Sequence, residues 1–287
     1  AAKLLPYPGG ATASPLGAFP QTKFFPPPRH PDYITRPRLL NRLRNDSQPV
    51  ILISAPAGYG KTTLLTDWIA TDRRIAAWLS LDESDNDPVR FLTALVIALE
   101  TIQPGVGKRI RSLLCAASPP PIIGVLPVLL NDLTARLASD AQGRPILLVL
   151  DDYHVITSTH IHTAVEMLLE RRPPCIRPVI VSRVDPPLPL ARLRVRDELV
   201  EIRATELAFT LDETTIFLQK QITSSPDPKA VAALVARTEG WIAAIQLAAR
   251  SLQSCPDQIA FITGLNGSDH QIFRYLVDEV LAQQSDK

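Results

Sequence analysis

The stretch from residue 50 to residue 63 constrains the fold of this chain more than any other. It reads Val-Ile-Leu-Ile-Ser-Ala-Pro-Ala-Gly-Tyr-Gly-Lys-Thr-Thr, which is a short apolar run, a turn of small residues and the start of an amphipathic helix. This order suits a bound triphosphate, because the backbone N–H groups of the loop and the positive end of the helix converge on the phosphates. The stretch therefore predicts a phosphate-binding loop between a strand and a helix.

Each residue type in this loop has a specific expected task. Lys61 is expected to reach the β- and γ-phosphates, and the Thr62 hydroxyl is expected to hold Mg²⁺. The usual pattern begins with a glycine, whereas this chain has Ala55 there, so Gly58 and Gly60 supply the left-handed backbone freedom instead. The predicted nucleotide-binding residues of the loop are Ala57, Gly58, Tyr59, Gly60, Lys61, Thr62 and Thr63. The alternative is a glycine-containing turn that binds nothing.

A second motif follows about 90 residues later, in residues 145–152. Its five consecutive apolar residues predict a strand buried on both faces of a parallel sheet, and ligands gather at the carboxyl ends of such strands. In P-loop proteins the first acid at this place, here Asp151, holds Mg²⁺ through water. The second acid, here Asp152, orients or deprotonates the attacking water. An apolar run that ends in two acids is weak evidence by itself. Its position after the P-loop is what supports the assignment of these acids to Mg²⁺ and water.

Arginines follow the next apolar run, residues 178–182. Arg183 stands at the tip of this predicted strand, where it could meet a γ-phosphate and report its loss; the alternative is a surface arginine at a strand end. Three further arginines occupy the alternating positions 192, 194 and 196. They form either a solvated face or a second set that faces an anion.

The rest of the chain divides into segments of different character. Nine of the 27 prolines lie in residues 1–37, which predicts an extended segment with a disordered beginning. Residues 104–121 contain proline and glycine and are interpreted as a link between helices. After residue 210 the pattern indicates helices alone, the last of them near 269–283, and we interpret the chain as a fragment whose last domain is cut short.

Composition excludes several classes of protein. A net charge of +1 gives no electrostatic argument for nucleic-acid binding. No apolar run approaches the roughly 20 residues that cross a bilayer, and the N-terminus lacks the order of a secretory signal. The three cysteines are far apart and follow no metal or redox spacing. We therefore expect a cytoplasmic protein without a membrane partner.

Four stretches together resemble the ATPase region of the MalT-type, large ATP-binding LuxR regulators, which belong to the STAND class of P-loop NTPases (signal-transduction ATPases with numerous domains). These stretches are residues 55–64, 148–154, 181–194 and 238–241. The resemblance covers about 22–287. It implies an α/β P-loop NTPase with a five-stranded parallel sheet flanked by helices, in which the 178–182 strand lies between the P-loop strand and the strand of Asp151. A small all-helical domain is expected to follow.

The proline-rich start and the resemblance together predict an organisation of the chain. The expected parts are a disordered Pro-rich N-terminus (1–21), an arm and lead-in helix (22–45), the P-loop NTPase domain (46–208), the helical domain (209–260) and the start of a truncated winged-helix domain (261–287). Arg36 falls where the arm of such proteins approaches the base, and Trp241 falls where a turn of the helical domain covers the nucleotide. The alternative for the arm is a tether that packs on the edge of the sheet.

The function that the resemblance implies is a switch that binds ATP or ADP with Mg²⁺ and hydrolyses ATP slowly. It assigns Thr62 and Asp151 to the metal, Asp152 to catalysis and Arg183 to sensing the γ-phosphate. In such regulators the ADP form is a closed monomer, and the ATP form with inducer self-associates on DNA. The sensor repeats and the DNA-binding helix-turn-helix are absent here, so DNA and inducer are expected to act only through domains outside this chain.

Two other functions stay open at this point. The first is a P-loop small-molecule kinase or phosphotransferase, although no arginine-rich lid or acceptor pocket can be identified after the Asp151 strand. The second is an interaction module that binds ADP structurally and never hydrolyses ATP. The pair of acids, Asp151 and Asp152, argues mildly against the second, because an inert binding protein has no need of the second acid.

Overall fold

The computed structural model describes residues 19–29, 33–114, 116, 120–136, 143–221 and 226–252, with side chains described up to residue 250. Five strands form one sheet in the order β2-β3-β4-β1-β5, and all neighbouring pairs are parallel. The strands are β1 (Val50–Ser54), β2 (Ala76–Ser80), β3 (Ile146–Asp151), β4 (Ile176–Ser182) and β5 (Leu199–Arg203). The predicted fold class and the predicted place of β4, between β1 and β3, are confirmed.

Burial explains why the three middle strands are continuous apolar runs. Every residue of β1, β3 and β4 is buried, whereas β2 and β5 at the two edges have partly exposed residues at both ends. A strand covered by helices on both faces has no solvated side, so an alternating polar pattern would place polar groups in the core. The runs of valine, isoleucine and leucine are therefore what this position in a parallel sheet requires.

Helices cover both faces of the sheet. One face carries α1 (Pro37–Asn45), α2 (Lys61–Thr71) and α8 (Ala204–Leu207), whose leucines pack with Trp68 against β1, β3 and β4. The other face carries α3 (Pro88–Glu100), α4 (Lys108–Leu114), α5 (Ile122–Arg136), α6 (Thr159–Arg171) and α7 (Leu190–Val195). Among the described residues, no helix has the length and apolar character needed to cross a membrane.

Three further helices form a separate apolar cluster, here called the helical unit. They are α9 (Leu211–Gln221), α10 (Pro228–Thr238) and α11 (Ile242–Leu252). Gly240 joins α10 to α11 with φ +72°, and a Cβ there would lie 2.6 Å from the carbonyl oxygen of Phe209. Only glycine fits both this backbone conformation and this close approach.

The N-terminal arm is fixed to the sheet domain by buried charges. The Lys23 ammonium lies 2.5 Å from one carboxylate oxygen each of Asp82 and Asp85, and Asp85 is fully buried. Further along, Arg29 contacts Asp67 of α2 at 3.0 Å. The arm thus runs from the carboxyl end of β2 across α2 before it enters α1.

Two short helices correct the sequence interpretation. The predicted link 104–121 contains α4, because Ile110 and Leu114 are buried in the core cluster on that face. The alternating arginines 192 and 194 lie on α7, a helix that the sequence analysis did not predict. Residues 1–18 of the predicted disordered segment 1–21, the helix near 269–283 and the start of a winged-helix domain lie outside the described residues; residues 19–21 are described, and a short 3-10 helix begins at Gln21.

Candidate nucleotide-binding site

The phosphate-binding loop connects β1 to α2 at the carboxyl edge of the sheet. Gly58 and Gly60 adopt φ +75° and +77°, so both supply the left-handed conformation predicted for them. The Lys61 ammonium is buried and donates to the carbonyl oxygens of Ala55 and Pro56 at 2.6 and 2.9 Å. These bonds hold the ammonium inside the loop, where it would meet phosphate oxygens.

The two predicted metal ligands contact each other directly. Thr62 Oγ1 donates to Asp151 Oδ2 at 3.0 Å, which joins the first turn of α2 to the end of β3. Burial, together with the neighbouring charge of Asp152, raises the pKa of Asp151 to about 6. A bound cation would favour the charged carboxylate and oppose this rise.

The donor set fits Mg²⁺ rather than a metal held by protein alone. The described residues contain no cluster of three or more His, Cys, Asp or Glu side chains that could hold a metal. Mg²⁺ prefers oxygen ligands and is usually held by one or two carboxylates together with phosphates and water. Thr62 and Asp151 could supply the protein's share of such a site.

Asp152 follows β3 in a left-handed conformation with φ +56°, which aspartate tolerates better than most residues. Its side chain is 47% exposed, so the carboxylate can meet a water molecule. His154 Nδ1 lies 3.9 Å from Asp152 Oδ1. Burial lowers the pKa of His154, the charge of Asp152 opposes this change, and the nearby charges of Arg183 and Lys61 lower the pKa further.

Arg183 comes directly after β4 in the middle of the sheet. It lies just beyond Ser182, the last residue of the strand, and its side chain is partly exposed. Its charge acts on His154, next to Asp152. The structure therefore brings the predicted positions Lys61, Asp151, Asp152 and Arg183 to one edge of the sheet.

A cavity of about 250 Å³ lies beside the loop, between the arm and the helical unit. The loop contributes Gly58, Gly60 and Thr63 to its lining, and the arm contributes Ile34 and Arg36. The helical unit and its lead-in contribute the residues Phe209, Phe217, Ile242, Ala243 and Gln246. The largely apolar wall beside a phosphate-binding loop is suited to the base and ribose of a nucleotide.

Arg36 lies on the wall of this cavity. It is only 4% exposed, and its guanidinium lies 4.5 Å from the centre of the Phe209 ring. Its Nη2 donates to Glu213 Oε2 at 2.9 Å and to the Ala208 carbonyl at 3.0 Å. Burial lowers the pKa of Arg36, while the partner carboxylate opposes that change.

Trp241 contacts the loop itself rather than the cavity. Its indole Nε1 donates to the Ala57 carbonyl at 2.9 Å, and the Ala243 amide donates to the Gly58 carbonyl at 3.2 Å. The cavity wall on this side is formed by the next turn of α11, with Ile242 and Gln246. Sequence reasoning missed these two residues, and the start of a helix after Gly240 was the available signal for them.

No family model matches the sequence. The HTH-type transcriptional regulator MalT of Serratia proteamaculans is 37% identical over 265 residues, which is 91% of this chain and 28% of that protein. The MalT regulator of Yersinia pestis (strain Pestoides F) is 37% identical over 271 residues, 93% of this chain and 29% of that protein. The chain thus spans less than a third of the length of these relatives.

Solved structures of low sequence identity share the fold. A STAND protein with a tetratricopeptide repeat sensor from Pyrococcus horikoshii aligns with a TM-score of 0.54 at 15% identity, over 88% of this chain and 33% of its own. A Walker-type ATPase of Pyrococcus abyssi aligns with a TM-score of 0.56 at 12% identity, over 90% of this chain and 76% of its own. Over about nine tenths of its length, this chain is therefore similar in sequence to a segment of the MalT transcriptional regulators, and it shares its fold with these two ATPases.

Proposed function

We propose that this chain is the ATP/ADP-binding switch module of a bacterial signal-transduction ATPase that regulates transcription, with slow Mg²⁺-dependent ATP hydrolysis. The observation that carries the proposal is the pairing of Thr62 with Asp151 at 3.0 Å beside the buried ammonium of Lys61. A hydroxyl, a carboxylate and an ammonium in this arrangement match what a Mg²⁺–triphosphate requires.

Each residue has a role in the proposed hydrolysis. Lys61 and the loop amides bind the phosphates, and Thr62 and Asp151 hold Mg²⁺, which supplies charge neutralisation when it is bound. Asp152 is half-exposed and orients or deprotonates the attacking water. Arg183, directly after β4 at the carboxyl edge of the sheet, senses the γ-phosphate.

The switch part of the proposal rests on contacts between the loop and the helical unit. The carbonyls of Ala57 and Gly58 accept hydrogen bonds from Trp241 and Ala243. A change of loop conformation on nucleotide exchange would therefore alter the contacts that position α11 on the loop. Arg36 enters the proposal through the cavity wall, and Trp241 enters it through the bond to the loop that surrounds the phosphates.

The partners of the whole regulator are part of the proposal. The matched relatives carry the name of transcriptional regulators, and this chain covers only 28% of the first of them. We therefore assign DNA and inducer to domains outside this chain. Self-association is assigned to the ATP-bound full-length protein, and the location is the cytoplasm.

A kinase is the less favoured function. Such enzymes commonly close arginines over the phosphates, but Arg192 and Arg194 form ion pairs with Glu170 and Glu201 on the surface. Two of the three alternating arginines thus belong to surface ion pairs.

The test is nucleotide affinity in matched lysine variants. Lys61→Ala should weaken ATP and ADP binding by at least about tenfold, because it removes a charge-assisted contact. Lys229→Ala, at an exposed lysine of α10, should leave the affinity unchanged. An affinity of Lys61→Ala within about twofold of wild type would contradict the proposal. Denaturing the purified chain and identifying any released nucleotide shows whether ADP is resident.

Hydrolysis is tested separately by phosphate release. Asp152→Asn should retain nucleotide binding and lose phosphate release, since the carboxylate acts on water and not on the nucleotide. Binding without any release by the wild-type chain would favour the non-hydrolysing module. Faster phosphoryl transfer to a metabolite than to water would favour the kinase.

A further inference from the structure

Glu213, in the first turn of α9, holds two arginines of the preceding arm and helix with one carboxylate. It is 7% exposed and accepts from Arg36 Nη2 at 2.9 Å. It also accepts from Arg38 Nε at 3.0 Å and from Arg38 Nη2 at 3.1 Å. Two hydrogen bonds from one guanidinium to a carboxylate are the geometry of a strong, oriented ion pair.

The same two arginines also form hydrogen bonds with the backbone just before α9. Nη2 of Arg36 and Nη2 of Arg38 both donate to the Ala208 carbonyl, at 3.0 and 2.7 Å. Ala208 follows α8, the last element of the sheet domain, so this is the joint at which the chain passes into the helical unit. The contacts span 175 and 177 positions of sequence and tie the two ends of the sheet domain to α9.

One member of this cluster faces the cavity. Arg36 lines it and stacks on Phe209, whereas Arg38 and Glu213 do not line it. Arg36 Nε is buried and has no hydrogen-bond partner among the described residues. Glu213, which lies outside the cavity lining, thus fixes the orientation of the Arg36 guanidinium in the cavity wall.

Movement of α9 away from the cavity would separate these charges. The Arg36 guanidinium would then lose its carboxylate while still lying in a largely buried environment, which is unfavourable. The separation is therefore costly unless the charges become hydrated at the same time.

We propose that Glu213 is a positioning residue and a latch: it sets the Arg36 side chain in the cavity wall and holds the helical unit against the nucleotide. The latch rests on the proposed nucleotide site for its ligand, but the contacts that form it lie outside the phosphate-binding loop. Release of ADP then requires that the bonds between Glu213 and the two arginines break.

The test uses Glu213→Gln in the full chain, with labelled ADP as the probe. Thr210 and Glu213 form reciprocal bonds at the start of α9, at 3.1 and 3.2 Å, and glutamine can replace glutamate in such a capping box. The variant therefore removes charge and keeps the cap. Asp212→Asn, at the exposed neighbouring acid, removes one charge from the same turn and is the matched control.

The expected result is faster release of ADP. The dissociation rate should rise at least about fivefold in Glu213→Gln, because charge-assisted bonds are lost. Arg38→Gln, which leaves the cavity wall intact, should change the rate in the same direction. Asp212→Asn should stay within about twofold of wild type. A rise below fivefold in Glu213→Gln would overturn the latch.

A second readout needs no nucleotide. Amide hydrogen exchange in α9 should be faster in Glu213→Gln than in wild type and in Asp212→Asn, because α9 separates more readily from α1. Equal exchange in all three proteins would overturn the latch. A wild-type chain that binds no ADP would refute the proposed function alone, and the exchange result would still decide the latch.

Discussion

Replacing Gly58 by alanine tests whether the helical unit is seated on the phosphate-binding loop. The new Cβ would lie 2.7 Å from the Ala243 Cβ and 2.8 Å from the Trp241 Nε1. Gly60 offers a matched control, because its φ of +77° equals that of Gly58 within a few degrees. A Cβ at Gly60 would meet Ile242 Cγ2 at 3.9 Å, an ordinary contact.

The two substitutions share a backbone cost and differ in a steric cost. Alanine in the left-handed region costs about 1–2 kcal/mol, and the stiffer unfolded chain returns about 0.4–1 kcal/mol. Gly60→Ala should therefore lose about 1 kcal/mol. Gly58→Ala adds overpacking of about 1–3 kcal/mol and the bond from Trp241 to Ala57, about 1 kcal/mol. Its total loss should be about 3–5 kcal/mol.

The difference in the free energy of unfolding between the two variants is measured by urea unfolding. Nucleotide is left out, because both substitutions would also disturb phosphate binding and so change the stabilisation by a bound nucleotide. Far-ultraviolet circular dichroism follows the whole chain. Tryptophan fluorescence adds a local signal: Trp68 and Trp78 are buried in the sheet domain, whereas Trp241 lies at the contact with the loop. Gly58→Ala should also alter the native fluorescence, and Gly60→Ala should not. Equal losses of stability would refute the seating of α11 on the loop.

Three further perturbations have defined outcomes. Lys23→Ala removes the ammonium from the fully buried Asp85. The free energy of unfolding in urea should fall by about 3–5 kcal/mol. A fall below about 1 kcal/mol would show that the pair is hydrated. The arginines lower the pKa of Glu213 below 4.5 against the effect of burial, so its stabilisation is present above pH 4.5 and is lost as the pH falls through the lower folded value. The stability difference between wild type and Glu213→Gln should therefore shrink in acid, and a constant difference would contradict the ion pair. Asp151→Asn should abolish the Mg²⁺ enhancement of ATP affinity in a titration with and without the metal; a retained enhancement would remove Asp151 from the metal site.

Much of the fold was predictable because the sheet is buried on both faces. The strands β1, β3 and β4 are continuous apolar runs, and α2 begins directly after the phosphate-binding loop, as predicted. The helices α4 and α7 were not predictable in this way. They have seven and six residues, so their formation depends on contacts with the core more than on their own sequence pattern.

The phosphate side of the candidate site was predictable, whereas the cavity wall was not. Lys61, Thr62 and Asp151 belong to local motifs whose spacing shows in the sequence. Phe209 and Gln246 line the cavity only because the helical unit is placed against the loop, and one sequence does not reveal that placement. Glu213 is a further case, since its partner Arg36 lies 177 positions away.

The strand order also has a consequence for synthesis of the chain on the ribosome. Strand β1 pairs only with β4 and β5, so its residues 50–54 find no sheet partner until residues 176–182 have been made. Synthesis proceeds at about 5–20 residues per second, so β1 remains without a partner strand for on the order of ten seconds. Strands β2 and β3 can pair earlier, which would leave this pair and the single strand β1 for β4 to join. An unpaired apolar strand is prone to aggregation during such an interval, so the nascent chain should need protection by a chaperone before β4 emerges and much less afterwards.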